Sequence, residues 1–189
     1  MIDTIQSDIM HFLSEYLLQA IAFATILGGF LLLCNFIYLH RKKQALKMLQ
    51  RSWYYKVVLW YLLLVYVYMV LAITLFSRTP SVVGYYNLQM FSTFGTSAWH
   101  QKCVYENILL FVPLGMLTYL LFKRVRRVYR VWLLGLCASI LIETTQYITH
   151  LGLFQVDDMY NNVIGMTIGY GLGEMIVSGC RWIHSHSFL

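Results

Sequence analysis

The sequence predicts an all-α fold: a polytopic membrane bundle of five transmembrane helices, forming a single membrane domain over residues 1–189. Three observations lead there. Apolar residues make up 59 % of the chain and charged residues only 12 %, against about 45–50 % and about 25 % in a soluble domain. A soluble globule of this length could not cover its surface with so few charges. The apolar residues also fall into runs long enough to cross a bilayer core of about 30 Å, which takes about 20 helical residues. Finally, the basic residues sit in blocks between those runs, so the net charge of +6 marks membrane flanks and not a nucleic-acid-binding face. An aromatic content of 16 % excludes a disordered chain.

The first predicted span is 16–39. It has no basic residue before it and a basic block after it, where a signal peptide would have the reverse and a small-residue cleavage site. It reads as a retained anchor. The connection 42–56 spaces Leu46, Leu49 and Trp53 among lysines and an arginine, the pattern of an interfacial helix on an anionic inner leaflet. Residues 1–56 are thus an extra N-terminal span with a basic cytoplasmic connection. The second span is 57–76, and the long connection 77–104 carries Tyr85, Tyr86, Phe91, Phe94 and Trp99. Aromatic residues favour the headgroup level, so this connection is expected to lie on or dip into the outer leaflet. The third span, 105–122, contains Pro113 and Gly115, where a kink is expected. The fourth is 131–149. The fifth, 161–178, repeats Gly165, Gly169 and Gly173, a face that lets another helix approach closely. Runs of this length without alternation are helices, each satisfying its own backbone in lipid.

Orientation follows from the loop charges. Arg41, Lys42, Lys43, Lys47, Arg51 and Lys56 flank the first connection, and Lys123, Arg124, Arg126, Arg127 and Arg130 the third. The second has only Arg78 and Lys102, and the fourth has Asp157 and Asp158. The N-terminus is therefore expected outside and the C-terminus inside. On that topology Cys103 lies across the membrane from Cys34, Cys137 and Cys180, too far for a bridge to any of them. In the tail, His184 and His186 could supply two metal ligands, with no third nearby in sequence.

The polar residues inside the spans carry the functional information. A charge in the membrane interior costs about 2.5–3.5 kcal/mol on insertion scales, so it needs a partner or a role. Glu143 falls in the outer half of the fourth span, followed at helical spacing by Gln146, Tyr147 and His150. Arg78 ends the second span at a similar depth, Glu106 and Asn107 open the third, and Asp157, Asp158, Asn161 and Asn162 open the fifth. Such groups can simply tie helices together. Their convergence on one level points instead to an outward polar cavity, with Arg78 as the cation for two or more carboxylates.

These residues resemble the VanZ-like family, named for a glycopeptide-resistance accessory protein. Asn107 with Phe111, Pro113 and Gly115 is similar to that family's third-span signature, Glu143 with Gln146 to its fourth, and Asp158 with Asn162, Gly165 and Gly169 to its fifth. Thr74, Leu75 and Arg78, then Asn87, Leu88 and Phe91, resemble its second-span and outer-loop elements. The likeness covers residues 57–173, the VanZ-like core. It departs at Leu153 and Phe154, where the family often has an arginine, and at Met90, where it often has proline. The resemblance implies a multi-pass protein of the bacterial plasma membrane that lowers susceptibility to teicoplanin-like lipoglycopeptides.

Three functions fit the residues. The first is binding of a phospholipid or lipid-linked cell-wall precursor headgroup, through Arg78, Glu106, Asn107, Gln146, His150, Asp157 and Asn162. The second is a membrane-embedded enzyme acting on such a lipid, with Glu143 and Asp158 as acid and base, or as ligands of a divalent cation. The third, a scramblase or transporter, fits least, because the polar stripe stops at mid-membrane. No cofactor motif is present, and nucleic acid is not an expected partner.

Overall fold

The computed structural model describes residues 2–41, 51–80, 86–93 and 97–186, with only the backbone for residues 51, 52, 184 and 186. The interfacial helix expected over 42–56 falls largely outside the described residues, as do Tyr85 and Phe94; the stretch from Arg51 is already helical. Five long helices make up the fold: α1 (Ile2–Arg41), α2 (Arg51–Leu71), α3 (Ala98–Leu121), α4 (Val128–Ile148) and α5 (Val156–His186). All five are long and apolar enough to cross a membrane.

All five helices start earlier than hydropathy alone indicates, and α1, α3 and α5 show why. The forty residues of α1 extend to about 60 Å at 1.5 Å per residue, twice the hydrocarbon thickness. Helix α3 begins at Ala98, capped by Ser97, whose hydroxyl accepts from the His100 backbone N–H at 3.2 Å. Asp157 and Asp158 lie in the first turn of α5, where carboxylates complement the positive end of the helix dipole. Charged first turns dilute hydropathy without stopping a helix.

Each long helix runs against its predecessor in the chain. Tyr61 and Tyr68 of α2 meet Thr25 and Gln19 of α1, Trp60 of α2 stacks edge-on against Phe122 at the end of α3, and Trp132 and Ser139 of α4 bond to Thr167 and Asn162 of α5. Helices α3 and α5 are therefore parallel, and they form the tightest seam. A Cβ on Gly165 would sit 2.2 Å from the Ile108 carbonyl oxygen, and one on Gly169 2.0 Å from that of Val112. Gly115 answers from α3, where a Cβ would sit 2.3 Å from the Met166 carbonyl oxygen. The expected small-residue face is thus a contact between backbones, with Phe111, Val131 and Met166 as its fully buried neighbours.

Two short features position the site end of this bundle. Helix α2 closes in a π-helical turn, Ala72–Phe76, in which the Ser77 N–H reaches back to the Ala72 carbonyl at 2.9 Å. The extra residue rotates the chain beyond it by about 100°, which carries Arg78 with it. Strands β1 (Tyr86–Asn87) and β2 (Phe154–Gln155) then pair in parallel, Tyr86 with Phe154 and Asn87 with Gln155. This pair, which hydropathy does not indicate, ties the connection after α2 to the link between α4 and α5.

Candidate functional site

Glu143 and Gln146 lie one turn apart on α4, and each is only 3 % exposed. The Gln146 amide donates to the Thr74 carbonyl at 2.7 Å. That carbonyl belongs to the π-helical turn, where the i to i+4 pattern is broken and carbonyls are released for other donors. Glu143 accepts the Gln155 backbone N–H at 3.0 Å, so the start of α5 and the buried carboxylate are held together. Across from it, Asp158 lies beside the Asn107 side chain and within electrostatic reach of Glu143 and Arg78. Four elements, the end of α2 with α3, α4 and α5, thus bring Arg78, Asn107, Glu143, Gln146 and Asp158 to one level, as their sequence positions suggested.

Arg78 acts electrostatically on both carboxylates, as expected, but from beyond ion-pair distance. It is exposed, and among the described residues no ion pair within 4.0 Å joins it to Glu143 or Asp158. Its guanidinium lies instead beside Gly152 and Gln146: a Cβ on Gly152 would come within 2.9 Å of Nη1 and 3.2 Å of the Gln146 Oε1. Arg78 therefore biases the carboxylates from a distance, and it also lines one end of a cavity. That cavity, about 530 Å³, lies between α1, α2 and α3 and is headed by Arg78, Ser77, Asn107 and Glu106.

Three other expected site residues do different work. Asp157 is buried, and its carboxylate accepts the backbone N–H groups of Phe91 (2.6 Å) and Thr93 (2.9 Å) and the hydroxyls of Thr93 (2.8 Å) and Ser92 (3.2 Å). Phe91 sits there at φ 61, a left-handed conformation that the paired carboxylate helps to hold. Asp157 is a loop anchor. His150 is exposed, with φ 57; its N–H bonds to the Tyr147 carbonyl at 3.3 Å, and that of Leu151 to the Gln146 carbonyl at 2.8 Å. That double bond pattern is the usual stop of an α-helix, so His150 ends α4 at an exposed position. Glu106 lies 3.7 Å from Lys102, which also pairs with Asp8 of α1. This charged cluster at the rim of the cavity is not foreshadowed in the sequence, because nothing in hydropathy places the N-terminal turns of α1 against α3.

Asn162 donates to the Ser139 hydroxyl at 2.8 Å, one turn beneath Asp158 and Glu143 on their helices. Beside it Asn161 is fully buried, and neither atom of its amide has a partner among the described residues. Polar groups thus continue below the carboxylate pair for one further turn. Among the described residues no three His, Cys, Asp or Glu side chains come together as metal ligands would. Tyr86, Phe91 and Trp99 are exposed, Phe91 on the loop held by Asp157 and Trp99 in the first turn of α3.

No curated protein and no solved structure matches the chain. The family model described as VanZ/LLP1 matches residues 52–177, which spans α2 to α5 and every residue of the polar cluster, and leaves α1 outside. With its five apolar helices, the chain is a membrane protein of the VanZ type and belongs to the VanZ/LLP1 family.

Proposed function

We propose that the protein resides in the bacterial plasma membrane with the site end facing outward and the basic end in the cytoplasm. There its polar cluster engages the phosphate-bearing headgroup of a phospholipid or lipid-linked cell-wall precursor, and so lowers susceptibility to teicoplanin-like lipoglycopeptides, which act at that same surface. The observation that carries the reading is Arg78. Its guanidinium heads a cavity open to the bundle surface, has no carboxylate within ion-pair distance among the described residues, and offers the fork of donors that suits phosphate oxygens. Asn107, beside it, supplies neutral polarity, and Glu143 and Asp158 outnumber the single cation, favouring a headgroup that also carries donors. The asymmetry of Lys and Arg between the two ends supports the orientation.

A second reading rests on the carboxylate pair. Glu143 and Asp158 interact electrostatically, and Glu143 is almost fully buried, an arrangement that suits general acid and base chemistry on a bound lipid. Susceptibility to teicoplanin, compared between cells carrying the wild type and Arg78→Gln at equal membrane levels, tests the first reading. Loss of protection in Arg78→Gln is expected, and undiminished protection would contradict it. For orientation, a cysteine placed at Gly152 should react with an impermeant thiol reagent outside intact cells, and one at Arg126 should not, once native cysteines are removed. The reverse pattern would place the site in the cytoplasm.

A further inference from the structure

The cavity headed by Arg78 does not end at the polar cluster. Below Ser77 and Asn107 its lining turns apolar, with Ile73, Met69 and Val65 on α2, Leu110 and Pro113 on α3, and Leu13 and Leu17 among the α1 residues that form the third wall. The hydroxyls in this lining below Ser77 are tied off, since Tyr66 donates to the Leu110 carbonyl and Thr74 to that of Val70. From Arg78 to Val65 the groove follows about 20 Å of helix at 1.5 Å per residue. A whole bilayer with its headgroup regions is about 40–45 Å thick, so the groove matches the depth of one leaflet, with its charge at the headgroup level and its apolar floor near the midplane. A volume of about 530 Å³ falls within the range of about 300–1,000 Å³ that encloses a small ligand.

Resting on the headgroup reading above, we infer that this groove receives one acyl chain of a membrane phospholipid whose phosphate sits at Arg78, the lipid arriving sideways from the adjoining leaflet. Depth selects this occupant. Acyl chains set the thickness of a leaflet, whereas polyprenyl carriers are longer than a leaflet is deep and would overrun the floor at Tyr66 and Pro113. Charge agrees, because the cationic end and the apolar trough lie in the order that phosphate and chain have in the bilayer. Helix α1 is the outer wall: of its described side chains only Ala20 and Ala24 are buried, and the charged contacts of Asp8 with Lys102, beside Glu106, hold its upper turns against α3.

The test uses the full chain in phosphatidylglycerol and phosphatidylethanolamine vesicles, with phosphatidylglycerol bearing a photoreactive diazirine at the end of one acyl chain as probe. Label is expected on Met69 and Leu110. It should be lost in Leu17→Trp, which fills the groove, and kept in Leu18→Trp, whose side chain is 76 % exposed on the outer face of α1. Leu13→Trp is the second blocking variant, and a melting curve establishes that each is folded. Label confined to outward residues such as Leu18 and Leu141, unchanged by Leu17→Trp, would overturn the inference. If that happened while Arg78→Gln still stripped bound lipid, the headgroup reading would stand and the groove would fall. If groove labelling persisted undiminished in Arg78→Gln, the chain site would stand and the headgroup reading would fall.

Discussion

The two flanks of this bundle are built by opposite means. On one, α3 and α5 approach until carbonyl oxygens lie where a β-carbon would be, with Gly115, Gly165 and Gly169 as the residues that permit it. On the other, α1 rests on α2 through Thr25, Gln19, Tyr61 and Tyr68 and leaves most of its surface exposed. Lipid offers helices no hydrophobic drive to associate, so a permanent contact has to come from close packing and hydrogen bonds. The polar cluster is mounted on the close-packed flank, and the groove lies beneath the loosely held one. A rigid site beside a wall that can give is what a ligand arriving from within the membrane requires.

The sharpest way to break this contrast is a pair of single methyl groups. Gly169→Ala drives a β-carbon to 2.0 Å from a backbone oxygen, and neither helix can yield without opening the seam. Overpacking typically costs about 1–3 kcal/mol, and this contact should reach the top of that range or exceed it in a thermal melt in detergent. Gly28→Ala on α1 meets only Leu64 Cδ1 at 3.8 Å and Tyr61 Cδ2 at 3.9 Å, ordinary contact. It should be neutral or stabilise by up to about 1 kcal/mol from helix propensity. Equal destabilisation by both would erase the distinction between the flanks.

Next in size is Asp157→Ala. Hydrogen bonds to a charged acceptor contribute about 1.5–3 kcal/mol each, and this carboxylate holds two backbone N–H groups and two hydroxyls of residues 91–93. Faster amide exchange at Phe91 and Thr93, with a lower melting temperature, is expected. Unchanged exchange there would mean that the β1–β2 pair alone positions the loop.

Glu143→Gln sharpens the comparison from the functional side. The amide keeps an oxygen for the Gln155 N–H and so should change stability by less than about 1 kcal/mol, while the charge facing Asp158 and Arg78 disappears. Protection against teicoplanin should fall in a protein that still melts normally. A folded and fully protective variant would leave Glu143 as a helix tie.

The smallest expected effect is Gly152→Ala. Its β-carbon would meet the far end of the flexible Arg78 side chain at 2.9 Å, so the guanidinium can swing away at a stability cost below about 1 kcal/mol. Lipid retention should nevertheless weaken, less than on removing the arginine. Full retention would show that the position of Arg78 beside Gly152 is not the one used.

The five spans and the level shared by Arg78, Asn107, Glu143, Gln146 and Asp158 are legible in the sequence, because lipid makes apolar runs and misplaced charges conspicuous. The glycine seam is legible for the same reason, although its partner Gly115 read as a possible kink. What stays hidden depends on backbone detail. Nothing in the run around Ala72 announces a π-helical turn, and without it the Thr74 carbonyl would not await Gln146. His150 comes after Gln146 at helical spacing, yet its left-handed backbone ends α4 and takes it out of the stripe. Asp157 and Asp158 are neighbours of one type, and only the path of residues 91–93 decides that the first anchors a loop while the second faces Asn107. The pairing of Asp8 with Lys102 depends on α1 continuing as helix well before its apolar run.

Native mass spectrometry of the purified protein tests the headgroup reading most directly. Wild type, Arg78→Gln and Arg78→Lys would be released from the same detergent beside melting curves. The wild type is expected to carry a phosphate-bearing lipid, Arg78→Lys to carry less, since an ammonium lacks the bidentate fork, and folded Arg78→Gln to carry none. A folded Arg78→Gln that retains as much lipid as the wild type would contradict the claim that this arginine receives a lipid phosphate.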